Sequence, residues 1–158
     1  MKLSIAAVTS FIAASVAASL PEAFTLVADG GKTVLTDGSN AYVGGSTDDK
    51  KILVLHGGAE SSQGSAVTYT ADDQTPTGWQ NLYAITNANK PIAFTVPHSG
   101  ATPEGANING WGVNDQGYFT FNGEQAFAVQ GDDGAQKIYY LGAGEGQFQK
   151  TPLYVKKY

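Results

Sequence analysis

The dipeptide Asn122-Gly123 constrains this chain more than any other feature. Both residues tolerate the positive φ required at the two central positions of a type I′ turn, the turn whose twist suits a two-residue β-hairpin. Around it, across residues 110–130, apolar residues such as Trp111, Phe119, Phe121, Phe127 and Val129 alternate with small or polar ones. The stretch is predicted to be two strands around a tight turn. Phe119 and Phe121 should lie on an apolar face, and Tyr118, Thr120 and Asn122 on a more polar one.

The same pattern recurs along the chain. Runs at 24–28 and 32–36 each end at an Asp-Gly pair, and a run at 40–43 ends at Gly44-Gly45. Residues 52–55, Ile-Leu-Val-Leu, form a continuous apolar run, predicted as a strand buried on both faces or in the sandwich centre and ended by Gly57-Gly58, with a helix the alternative that periodicity alone leaves open. Further strands are predicted at 66–70, 82–86, 92–96, 136–141 and 153–155. Residues 97–109, which hold Pro97, His98 and Pro103, do not alternate and are predicted to wrap an edge or end of a sheet. About ten to twelve short strands, with 20 glycines, argue an all-β fold: a single-domain antiparallel β-sandwich or barrel. A β-trefoil is the second architecture, although no internal repeat is legible.

Residues 1–18 open with Met1-Lys2, continue through an Ala-rich apolar run and end in Ala17-Ala18. That is the pattern of a secretory signal peptide cut after Ala18 or Ser19, leaving 19–158 as the domain. The run is shorter than the roughly 20 apolar residues a membrane span needs. The expected location is therefore extracellular, either free or at a cell wall, with no membrane partner.

The chain has no cysteine, which excludes a thiol nucleophile, a disulfide framework and a cysteine-ligated metal. Its 9 basic residues are all lysine, and the formal net charge is −5. A net-negative chain without arginine is poorly suited to a phosphate backbone, so nucleic acid is not an expected partner. The sequence pI of about 4.8 means that repulsion between copies fades in a mildly acidic medium, which favours association with a wall or matrix.

The candidates for chemistry are few. His56 and His98 are the only histidines and lack metal-binding spacing, so no metal and no cofactor are expected. His98-Ser99 does not make a nucleophile pair, and no Gly-x-Ser-x-Gly elbow is present. The acidic doublets Asp48-Asp49, Asp72-Asp73 and Asp132-Asp133 lie in turn-rich segments, where diverging, solvated carboxylates are the simplest account. A glycoside-active protein would need two of them facing each other across a cleft. Trp79, Trp111, Tyr69, Tyr83, Tyr118, Tyr139 and Tyr140 offer rings that either fill a core or stack on sugars. As ligand-binding residues the sequence nominates Trp79, Trp111, Tyr83 and His98, with Trp111 favoured as a plug beneath the 97–109 segment.

The run Pro97-His98-Ser99-Gly100-Ala101-Thr102-Pro103-Glu104-Gly105-Ala106 resembles a family of small fungal secreted cell-wall proteins typified by PhiA, also described as IgE-binding allergens. Phe24-Thr25-Leu26-Val27-Ala28, the Tyr42-Val43-Gly44-Gly45 segment and the 111–127 stretch are similar to it as well. Many members carry cysteines, and this chain has none. The resemblance implies a secreted, wall-associated structural or surface protein with no catalytic residue. A carbohydrate-binding module for wall polysaccharide using Trp79 or Trp111 is the alternative, ahead of a glycoside-active enzyme or a host-directed effector.

Overall fold

Alternation along the chain produces strands that each turn one face inward. They are numbered along the chain as β1 (Ala23–Ala28), β2 (Lys32–Thr33), β3 (Leu35–Thr36), β4 (Ala41–Val43), β5 (Lys51–Ile52), β6 (Leu55–Ser61), β7 (Gly64–Tyr69), β8 (Gln80–Ile85) and β9 (Asn89–Pro91). There follow β10 (Ala93–Phe94), β11 (Ala106–Asn107), β12 (Trp111–Val113), β13 (Phe119–Phe121), β14 (Phe127–Val129), β15 (Gln136–Leu141), β16 (Gln149–Lys150) and β17 (Tyr154–Lys157). This computed structural model describes residues 19–61, 64–72, 78–131, 134–144 and 146–158. The expected leader at 1–18 and the acidic residues Asp73, Asp132 and Asp133 lie outside the described residues.

The strands build two antiparallel sheets. One runs β10-β8-β7-β6-β1-β17, with β2 on β1, β11 on β8, and the β12–β13 pair attached to β7. The other runs β16-β14-β15-β4-β3-β5, with β9 on β15. The sheets pack as a sandwich around one core, and the barrel considered from sequence does not close. Two layered sheets stand where a trefoil needs three like units.

Three predicted strands prove to be sheet corners. The run 32–36 divides into β2 in one sheet and β3 in the other, with Val34 between them. The 52–55 run likewise divides between β5 and β6 around Leu53, and 92–96 begins where the chain passes from β9 to β10 at Ile92. Val34, Leu53 and Ile92 are all fully buried. Their backbone amides still find partners: Val34 N–H donates to Leu26 O at 2.8 Å, Leu53 N–H to Val34 O at 3.0 Å and Ile92 N–H to Ile138 O at 2.9 Å. Continuous apolar runs here mark bends through the core rather than straight strands, because a corner residue is enclosed by both sheets. β6 also continues through Gly57-Gly58, with a register irregularity between Gly57 and Glu60 instead of a break.

The predicted hairpin forms only in part. Its turn is as expected, with Asn122 at φ 52 and Gly123 at φ 79, and Phe121 and Glu124 exchange two 3.0 Å backbone hydrogen bonds. The flanking strands do not pair with each other beyond that bridge. β13 pairs back with β12 (Trp111↔Phe121, Val113↔Phe119), whereas β14 joins β15 and β16 in the other sheet. Asn122-Gly123 is thus a fourth corner. A consequence is that Thr120, predicted on a polar face, is buried along with Phe119 and Phe121.

The aromatic residues carried by these strands meet in the core. Trp111 stacks on Phe119, with ring centroids 5.0 Å apart and planes 7° from parallel, and also lies against Phe121 (4.6 Å) and Phe127 (6.3 Å). Phe24 and Tyr140 extend the cluster. Among the described residues, every buried side-chain nitrogen and oxygen has a hydrogen-bond partner. A core of this kind substitutes for the disulfides absent from the sequence.

Candidate functional site

The four nominated residues separate sharply. Trp111 is fully buried, and its indole N–H donates to the Leu82 carbonyl at 3.0 Å. It is a core plug and offers no face to a ligand. His98 is exposed in a turn with left-handed backbone, φ 63, and lines neither of the two cavities that border Trp79 and Tyr83. Trp79 is 50% exposed, and Tyr83 is half-buried.

Trp79 and Tyr83 belong to one row. Along β8, Leu82 and Ala84 are fully buried and Gln80 is 4% exposed, whereas Asn81 and Ile85 keep 9% and Tyr83 is half-buried. Period-two alternation therefore points Trp79, Asn81 and Tyr83 toward the opposite, outer face. The ladder extends this row sideways, since Asn81 pairs with Thr68 on β7 and Thr68 pairs with His56 on β6. His56, Thr68, Thr70, Trp79 and Asn81 together line an open groove of about 520 Å³. A flat indole at one end thus faces amide, hydroxyl and imidazole groups presented on a rigid sheet.

Asn81 is itself well anchored. Its backbone N–H donates to Thr95 Oγ1 at 2.9 Å, and Thr95 N–H donates back to the Asn81 carbonyl at 2.9 Å. Beneath the groove, the Gln80 side-chain amide donates to Thr95 O at 2.7 Å and to Gly38 O at 2.9 Å. The floor is therefore held by both neighbouring strand and loop, as a preorganised binding surface requires.

Comparison with protein-family models, with curated proteins and with solved structures finds no match. The chemistry must be read from the groove itself. Its lining offers an aromatic face, two hydroxyls, an amide and, as the one ionisable side chain among the described residues, the His56 imidazole. Among the described residues, no three of His, Asp and Glu gather in a group able to hold a metal ion. Nor, among them, is any helix long and apolar enough to cross a membrane.

Sequence reasoning did not nominate His56, Thr68, Thr70 or Asn81. The groove joins three strands whose register is set by long-range pairing, and no local spacing encodes that.

Three of the described acidic residues, Asp37, Asp49 and Asp72, have polar partners of their own. Asp37 and Asp49 line a smaller cavity of about 210 Å³ with Lys51 and Tyr69. Asp37 accepts hydrogen bonds from Ser39 N–H and Asn40 N–H, both 2.9 Å, and from the Tyr42 hydroxyl at 2.7 Å. Desolvation raises its carboxyl pKa, but the combined hydrogen bonds from Asn40, Tyr42 and Ser39 outweigh it and leave the value below the ordinary one. Lys50 holds Asp49 low through a 2.9 Å hydrogen bond, and its ammonium also sits 5.1 Å from the Tyr42 ring centroid. Asp72 pairs with Lys51 in solvent at 3.0 Å.

The Tyr42–Asp37 bond makes a pH-dependent contribution to stability. Desolvation, then the hydrogen bond and charge of Asp37, push the Tyr42 hydroxyl from 10.0 up to about 12. A folded-state pKa above the unfolded one stabilises fully below pH 10 and loses that stabilisation as pH rises through about 12. Tyr42→Phe is expected to lose about 1 kcal/mol at neutral pH. Its deficit relative to the wild type should shrink between pH 10 and 12, the interval set by the free and folded values of this hydroxyl. Urea unfolding curves across that range measure it, and a deficit that does not change with pH would refute the assignment.

Proposed function

We propose that this protein is a secreted, non-catalytic carbohydrate-binding protein of the cell wall, and that the outer face of β6, β7 and β8 is its binding surface. The observation that supports the reading is the half-exposed Trp79 beside the outward row His56–Thr68–Asn81. Sugars present apolar C–H faces and a periphery of neutral hydroxyls. An indole platform next to imidazole, hydroxyl and amide groups matches both. A purely structural role, in which aromatic residues only fill the core, accounts for Trp111 but not for Trp79.

Depletion of the protein from solution by insoluble β-glucan and by chitin tests the reading. The wild type is expected to be retained on at least one of them. Trp79→Ala is expected to weaken retention about tenfold or more, the usual scale for truncating an aromatic hot spot. Because Trp79 is half-exposed, its removal should leave the melting temperature nearly unchanged. Equal retention of Trp79→Ala and wild type, or retention of neither, would overturn the proposal.

A further inference from the structure

A second cavity lies further along the same strand. It has a volume of about 400 Å³ and is lined by Tyr83, Ile85, Asn40, Lys90, Pro103 and Glu104 among others. Tyr83, half-buried, and Ile85, 9% exposed, lie on the same face of the strand as Trp79 and Asn81, so the two cavities are lined at successive positions on that face of β8. Four residues of extended strand separate Trp79 from Tyr83, a span of about 13 Å. One sugar ring does not cover that distance, whereas a short chain of them does.

One side of the second cavity is built by the 97–109 segment. Pro103 and Glu104 belong to it, and it is fastened to the end of β8 immediately afterwards. Thr86 N–H donates to Gly105 O at 3.1 Å, and β11 pairs with β8 through Ala106↔Ile85 and Asn107↔Ala84. Gly105 has φ 80, and a Cβ there would stand 2.6 Å from the Asn87 side-chain oxygen, so the segment lies against the turn that follows β8. The non-alternating stretch thus raises one side of a trough on the outer face of the sheet.

The charges lining the trough select among polymers. Among the described residues, the Trp79 groove contains no carboxylate and no ammonium, and the second cavity contains one of each, Glu104 and Lys90. Apart from the His56 imidazole, the carboxylate and ammonium of the two linings balance, and the chain as a whole is negative, which disfavours acidic polysaccharides.

Resting on the carbohydrate reading of the Trp79 groove, we infer that the ligand is an uncharged linear polysaccharide lying along β8, held by Trp79 at one end and by Tyr83 in the second cavity at the other. Burial pushes the Tyr83 phenol pKa above its ordinary value, so the ring is presented with its hydroxyl intact. Two points of contact on one chain make the second engagement intramolecular, and affinity then grows with chain length until both are filled.

Calorimetric titration with laminari-oligosaccharides and chito-oligosaccharides, from disaccharide to hexasaccharide, tests this. In the wild type, the hexasaccharide of the series that matches the retained polymer is expected to bind at least about tenfold more tightly than the disaccharide. Tyr83→Ala should abolish that gain, its loss falling on the hexasaccharide far more than on the disaccharide. Tyr83→Phe should preserve the gain, which separates ring contact from a folding defect, and melting temperatures check the fold of both variants. Affinity should change little between low and high salt. Length-independent affinity, an equal loss for short and long ligands in Tyr83→Ala, or a steep salt dependence would overturn the inference. If Trp79-dependent retention on the insoluble polymer persists in the face of any of those results, only the extended binding mode fails. If no retention and no oligosaccharide binding are seen, the carbohydrate reading fails with it.

Discussion

Trp111→Ala is expected to lower the unfolding free energy by about 3–5 kcal/mol, the range for removing a buried aromatic residue. The cost has three sources. The ring is fully buried, so the vacated space cannot be refilled by solvent without wetting the core. It stacks on Phe119 at 5.0 Å and contacts Phe121 and Phe127, so three phenyl rings lose a packing surface together. Its indole N–H also donates to Leu82 O at 3.0 Å, and the carbonyl loses that buried donor. Against a typical total of about 5–15 kcal/mol, such a loss brings the domain near its folding threshold. Trp111→Phe keeps a ring but not the donor, and should cost distinctly less. Urea unfolding measures both. Fluorescence gives an independent check, because Trp79 is the only other tryptophan and is half-exposed. Folded Trp111→Ala should therefore lack the blue-shifted component of the wild type. A loss below about 1 kcal/mol would be incompatible with a core role.

The contrast between the two tryptophans shows what could be read from the chain. A dipeptide such as Asn122-Gly123 specifies local dihedral angles, and the structure forms the predicted turn because nothing distant is needed to make it. Pairing is different. Whether the strand after the turn folds back on β13 or leaves for the other sheet depends on which ladder buries more, and β14 finds its partners in β15 and β16. The same limitation hid the corners at Val34, Leu53 and Ile92, since an apolar run looks alike whether it lies straight in one sheet or bends between two. For the site, Trp79 and Tyr83 were nominated only as aromatic rings; the strand predicted at 82–86 begins at Gln80, and that earlier start sets both rings on one face. His56 and Thr68 were not, because they reach that face only through the β6–β7–β8 register. Trp111 and Trp79 are chemically identical, and only the sheet stacked over one of them makes it a plug.

Gly64→Ala is the second large effect expected, at about 2–5 kcal/mol. Gly64 opens β7 with φ 101, a conformation that alanine adopts only with strain. A Cβ there would also stand 2.5 Å from the Cα of Gly110 and 2.7 Å from its carbonyl carbon. Both opposing atoms are backbone, so no side chain can swing aside, and β7 or the strand facing it must shift. Gly110 directly precedes Trp111, which pairs with Ser65 on the neighbouring strand. The displaced element is therefore the one that seats the indole among Phe119, Phe121 and Phe127. Gly123→Ala separates the two costs: Gly123 has φ 79 but nothing within 4 Å of an added Cβ, so only the conformational penalty of about 1–2 kcal/mol remains. The difference between the variants in urea unfolding isolates the backbone overlap. In Gly64→Ala, Trp111 emission should also move toward that of an exposed indole, whereas Gly123→Ala should leave the spectrum unchanged. Equal destabilisation by the two substitutions would show that the Gly64–Gly110 approach contributes nothing beyond its dihedral angles, and that the position of Trp111 is fixed by ring packing alone.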